Sequence, residues 1–213
     1  MDLGLSGRAA IVTGATRGIG LATARGLVSE GAAVLLVARD AEALEATADS
    51  LGGDVATVAA DVTSSHAGDR IVGSALQRFG RVDVLVNNAG TSENKPLEEL
   101  SDEDWEEQWE LSVMAPLRLM RAAVPQMAEA GWGRVVNVSS SSGKRPSPSN
   151  AAYSVAKAAE LSLSRVFADT YAGDGVLINT VAPGAVASEL WTGPGGLADH
   201  GVGPPYRRSL SVA

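Results

Sequence analysis

The chain has no cysteine and only two histidines, His66 and His200, among its 213 residues. Disulfides and thiolate metal sites are excluded, and a zinc enzyme lacks its usual ligands, so no metal is expected. No apolar run reaches the ~18 residues that span a bilayer, and no membrane partner is expected. The start, "MDLGLSGRAAIVTG", lacks the basic residues and apolar core of a signal peptide. A cytoplasmic location is the expectation. Positive charge is in deficit, with 17 Lys and Arg against 25 Asp and Glu, a net −8. Such a surface repels a phosphate backbone, which argues against a nucleic-acid partner.

What is present is ordinary for a globular domain: 45% apolar and 20% charged residues. Six short apolar runs recur: "AAIVTG", "AAVLLVA", "DVATVAA", "VDVLVNNAG", "RVVNVSS" and "VLINTVAPG". They are continuous rather than alternating, as strands read when both faces of a parallel sheet are covered. Helix-like segments lie between them at about 18–30, 40–51, 63–79, 101–130 and 151–172. Strand then helix, repeated, predicts one α/β domain with a doubly wound sheet over residues 1–190. Residues 191–213 read as a Gly/Pro-rich substrate-loop or tail segment. The acidic stretch "EELSDEDWEEQWE" reads as the solvated start of a helix, where the dipole favours carboxylates. "SSSSGKRPSPS" reads as a loop.

The first strand runs into "TGATRGIG" and then a helix. Gly14 allows the tight turn, Gly18 lets a pyrophosphate approach the backbone, and Gly20 lets the helix pack against the sheet. Thr16, Arg17 and Ile19 complete the loop. The helix start supplies free N–H groups for phosphates, and in this context the loop points to dinucleotide binding. No Gly-Lys-Ser/Thr follows, which disfavours a nucleoside-triphosphate P-loop. An NAD site puts an acid at the end of the second strand; here "VLLVARD" puts Arg39 there. Arg39 and Arg17 together suit a 2′-phosphate and favour NADP(H). Asp40 reads as a helix cap. In "NAAYSVAKAAE" the four-residue spacing sets Tyr153 and Lys157 on one helical face.

With "TGATRGIG", "DV" at 61–62, "NNAG" at 87–90, "SS" at 139–140, "YSVAK" at 153–157 and "PG" at 183–184 in this order, the chain resembles the short-chain dehydrogenase/reductase family. The likeness runs from residue 7 to about 190 and implies a Rossmann-like sheet. By position it implies Asp61 and Val62 beside the adenine, and Asn87, Ala89 and Gly90 along the cofactor channel. Pro183, Gly184 and Val186 would face the nicotinamide, with Ser188 near its carboxamide. Ser140 matches the catalytic serine, with Ser139, Ser141 and Ser142 as competing choices. Tyr153 would be the acid for reduction and the base for oxidation. Lys157 would lower its pKa and bind the nicotinamide ribose.

Two departures stand out. The family's catalytic asparagine aligns with Ser112, whose shorter side chain can still hold a relay water but lacks an amide's reach. The family's final helix and seventh strand find no matching pattern, so six strands are expected, the sixth an exposed edge unless the tail or another subunit covers it. The resemblance implies an NADP-dependent oxidoreductase acting on a small ketone or secondary alcohol; the alternative is a non-catalytic dinucleotide-binding or interaction protein on the same scaffold. It also implies a homodimer through the helices at 101–130 and 151–172, whose small apolar residues suit a two-fold contact.

Overall fold

The computed structural model describes residues 3–92 and 94–186. Six strands form one parallel sheet in the order β3-β2-β1-β4-β5-β6. They are β1 Ala9–Thr13, β2 Ala33–Ala38, β3 Val55–Ala59, β4 Val84–Asn87, β5 Gly133–Val138 and β6 Val176–Val181. The helices are α1 Gly18–Ser29, α2 Ala41–Leu51, α3 Ala67–Phe79, α4 Asp102–Trp109, α5 Ala115–Glu129 and α6 Ala151–Tyr171. The expected tail at 191–213 lies outside the described residues.

β1 sits mid-sheet, its five residues all buried, paired with β2 on one side and β4 on the other. On one face Ile11, Leu35 and Leu85 pack with Ile71 of α3 and with Leu119, Met120 and Met127 of α5. On the other, Val12, Leu36 and Val86 pack with Ala24 of α1 and Leu44 of α2. Full burial of a side chain such as Ile11 stabilises the fold by about 2–3 kcal/mol. The strand order reverses between β1 and β4, and in such sheets ligands bind beyond the carboxyl ends of the strands at that point.

Three expectations need correction. β6 alternates between buried and exposed, with Leu177 and Val181 about half exposed, because one face beside it has no cover among the described residues; β5 alternates likewise between buried and half-buried, and β3 at the far edge is half-buried throughout. That face forms an open hollow of about 680 Å³, walled by Val84, Val136, Val181 and Trp132. The third helix starts at Ala67 rather than 63, because Asp61 Oδ1 accepts the Thr63 N–H at 2.9 Å and its hydroxyl at 2.7 Å, holding a turn there. The helix expected over 101–130 is broken by a π-helical turn, Glu110–Met114. Pro116 has no N–H to close an α-type bond onto the Ser112 carbonyl, and the Ala115 N–H reaches back to Glu110 instead.

Candidate active site

The Gly loop leaves β1 with Gly14 at φ 64°, a left-handed turn that glycine adopts without strain. Gly20 lies so close to this turn that a Cβ there would overlap the Gly14 carbonyl and come within 2.5 Å of Asn88 Nδ2. The start of α1 carries no side-chain cap and no acid in its first turn, so its N–H groups are open to an anion. This bare cradle fits a pyrophosphate. Thr16 and Ile19 are half-buried beside it, whereas Arg17 and Gly18 are exposed.

Beyond β2, Arg39 is exposed and Asp40 caps α2, accepting the Ala43 N–H at 3.1 Å. The Asp61 carboxyl is held below the ordinary carboxylate range, first by the Thr63 N–H, then by the Thr63 hydroxyl, with the Arg39 charge helping. Arg39 and Asp61 thus lie within electrostatic reach of one another. Val62 turns inward into the core.

At the end of β4, Asn87 is buried and donates to Asn137 Oδ1 at 2.7 Å, so its amide points into the interior. Its neighbour Asn88, not singled out from sequence, braces the Gly loop. The Asn88 Nδ2 group donates to the Thr13 and Gly14 carbonyls at 2.9 and 3.1 Å. Thr13 Oγ1 accepts the N–H groups of Asn88 and Ala89 at 2.9 and 3.0 Å. The doubled asparagine of "NNAG" is the signal that sequence reading passed over. Gly90 is exposed, and a Cβ there would stand 3.9 Å from Lys157 Nζ.

Ser139 and Ser140 diverge. Ser139 is buried and donates to the Lys157 carbonyl at 3.0 Å. Ser140 is half-buried and opens a short turn, Ser141–Gly143, accepting the Ser142 N–H at 3.1 Å. Gly143 presses on α6, where a Cβ would meet the Lys157 backbone at 2.9 Å. The Ser141 N–H donates to the Pro183 carbonyl at 2.8 Å, tying the segment after β6 to this turn. Gly184 is exposed and Val186 half-buried; Ser188 lies outside the described residues.

Tyr153 sits in the first turn of α6, on a small polar cleft shared with Lys95, Asp104, Glu107, Gln108 and Asn150. Asp104 also closes a capping box with Ser101, so the acidic stretch is a helix start as read. The hydrogen bond from Lys95 holds its carboxyl down at about 2. Lys157 Nζ stands 5.9 Å from the Tyr153 ring centre and donates to the Val138 carbonyl at 2.9 Å. Ser112, in the π turn, is fully buried, and its hydroxyl has no partner among the described residues. Among those residues there is also no cluster of three or more metal-binding side chains, and no helix is long and apolar enough to cross a membrane.

A family model described as short chain dehydrogenase matches residues 8–193. The D-threitol dehydrogenase of Mycolicibacterium smegmatis is 36% identical over 202 residues, covering 92% of this chain and 78% of that protein. Among solved structures, L-sorbose reductase from Gluconobacter frateurii, complexed with NADPH and L-sorbose, matches with a TM-score of 0.86 at 40% identity, over 88% of this chain and 73% of the other. An NAD+-bound xylitol dehydrogenase matches with a TM-score of 0.81 at 33% identity, over 84% and 71%.

Proposed function

This chain belongs to the short-chain dehydrogenase family, and from that premise we propose an NADP(H)-dependent oxidoreductase that interconverts a small polar ketone and its secondary alcohol. The observation that carries the reading is Tyr153 at the mouth of a polar cleft, with the Lys157 ammonium one helical turn below it. When bound, NADP(H) supplies or accepts the hydride. In ketone reduction the Tyr153 hydroxyl gives its proton to the oxygen as charge develops there; in oxidation it takes the proton back. A free phenol ionises near ~10, too high for this duty at neutral pH. The Lys157 ammonium, 5.9 Å from the Tyr153 ring centre, sets a positive charge beside the oxygen that turns negative when the proton leaves. Ser140 orients the substrate oxygen, and Ser112, buried with a hydroxyl that has no partner among the described residues, suits a water in the proton path.

NADP(H) rather than NAD(H) is supported by the exposed Arg39 beyond β2 and the exposed Arg17 in the Gly loop, either of which would give a 2′-phosphate a charge-assisted partner. The NADPH-bound sorbose reductase supports the same choice. A polyhydroxylated substrate is supported by the charged and amide groups around Tyr153 and by the polyol and ketose substrates named for the relatives. A homodimer through α4, α5 and α6 completes the proposal.

The deciding experiment is Tyr153→Phe assayed with NADPH and a panel of small ketoses. Cofactor affinity should persist while turnover falls at least about 100-fold. Parental turnover in Tyr153→Phe would overturn the acid–base assignment. In a parallel titration NADPH should bind at least tenfold more tightly than NADH, ~1.4 kcal/mol, and Arg39→Ala should erase the preference.

A further inference from the structure

One buried charge has no part in that reaction. Glu160 lies on α6 one turn beyond Lys157 and is 1% exposed, while Lys157 is 3% exposed. A carboxylate is rarely buried this completely unless paired. Its Oε2 stands 2.9 Å from Lys157 Nζ. The Val138 carbonyl takes a second ammonium N–H, so of three donors one remains for ligand or tyrosine. Glu160 is itself fixed by its backbone. Its carbonyl accepts the Ser164 hydroxyl at 2.8 Å, Ser164 Oγ accepts Asn137 Nδ2 at 2.7 Å, and Asn137 in turn accepts Asn87 Nδ2 at 2.7 Å. This buried chain locks α6 to β5 and β4 directly beneath Lys157.

We propose that Glu160 is a positioning residue of the site: its carboxylate aims the Lys157 ammonium and cancels part of that ammonium's field at Tyr153, and so sets the pH at which Tyr153 ionises. The inference rests on Tyr153 being the acid–base group. Burial pushes the Glu160 carboxyl above the ordinary range, and the Lys157 charge and the Ser139 hydroxyl just after β5 oppose it, as in an ion pair held out of water. The remaining charged groups at the cleft are Asp104 and Glu107 of α4 with Lys95, which bonds Asp104 at 2.6 Å. All of them stay in place when Glu160 alone is neutralised. Removing one negative charge makes every nearby proton easier to lose, so the phenol should ionise at lower pH.

The test is an ultraviolet titration of phenolate in the cofactor-free full chain, which has three tyrosines. Subtracting Tyr153→Phe isolates Tyr153, in the parent and again in the Glu160→Gln background. The Tyr153 midpoint should fall by about half a pH unit or more in Glu160→Gln. The acid limb of kcat/KM for NADP+-linked alcohol oxidation should move the same way. Glu160→Met, neutral and of similar length, repeats the measurement if the Gln variant does not fold. A midpoint that stays put or rises in the folded variant overturns the role of Glu160. Retained turnover in Tyr153→Phe would instead overturn the acid–base reading, so the two failures are separable.

Discussion

Asp83 shows how much one side chain can hold together. It is buried just before β4, accepting from Arg8 at 3.0 Å, from the Ala9 N–H at 2.9 Å and from Arg81 through two bonds of 2.6 Å. Burial pushes its carboxyl up, but the Arg81, Ala9 and Arg8 bonds outweigh burial and hold it below the ordinary range. A depressed native pKa gives stability that is complete above the unfolded value, near ~3.9, and is lost as pH falls through the native value. Asp83→Asn should therefore cost about 2 kcal/mol at neutral pH, modest for a buried pair because Arg8 and Arg81 stay partly exposed. Denaturant melts should find that gap shrinking below about pH 4; a gap independent of pH would contradict the ion-pair account. At this scale Tyr153 and Lys157 were legible because helical spacing is a local property. Glu160 was not, since one sequence does not say which face of α6 meets the sheet. Asn88 was missed for a similar reason: its partners at Thr13 and Gly14 are 75 and 74 positions away.

Among elements, the join of β1 to α1 tolerates least. Gly20→Ala drives a methyl group into the Gly14 carbonyl, which is backbone and cannot swing aside. The expected result is a loss of NADPH affinity of at least tenfold, about 1.4 kcal/mol, together with a lower melting temperature. Isothermal titration and a thermal melt would read both, and parental affinity would mean that the turn opens more easily than its packing suggests. This strand–loop–helix join was plain in "TGATRGIG" because three glycines there meet three separate steric needs. The π turn between α4 and α5 was not plain, although its cause is written in the sequence. Pro116 stands four residues after Ser112, and its missing N–H matters only once both lie in one helix. The late start of α3 has the same character, because Asp61 and Thr63 hold their turn against a helical pattern that continues through them.

For the whole molecule, the six strands followed from continuous apolar runs, as did the burial of β1, β2 and β4, whereas the half-buried β3, β5 and β6 did not, since cover depends on what else packs against the sheet. The proposed dimer makes its claim on another surface. Val155 and Val166 on α6 are 47% and 63% exposed, and Trp109 on the adjoining α4 is 44% exposed. Three large apolar side chains on one pair of helices are what a self-complementary contact uses at its centre. Val166→Arg should convert the dimer to monomer in light scattering with NADPH present, and a dimer that survives the change would exclude this face. The position of β1 also governs how the chain is made. Its second neighbour, β4, comes 25 positions after the end of β3, from Ala59 to Val84. On a ribosome adding roughly 5–20 residues per second, that interval lasts roughly one to five seconds. For that time the nascent chain can complete β1, β2 and β3 while one side of β1, the future centre of the sheet, offers bare backbone to any passing strand. That exposure ends with the arrival of Asp83, whose carboxylate fastens the Ala9 N–H, and of β4 behind it.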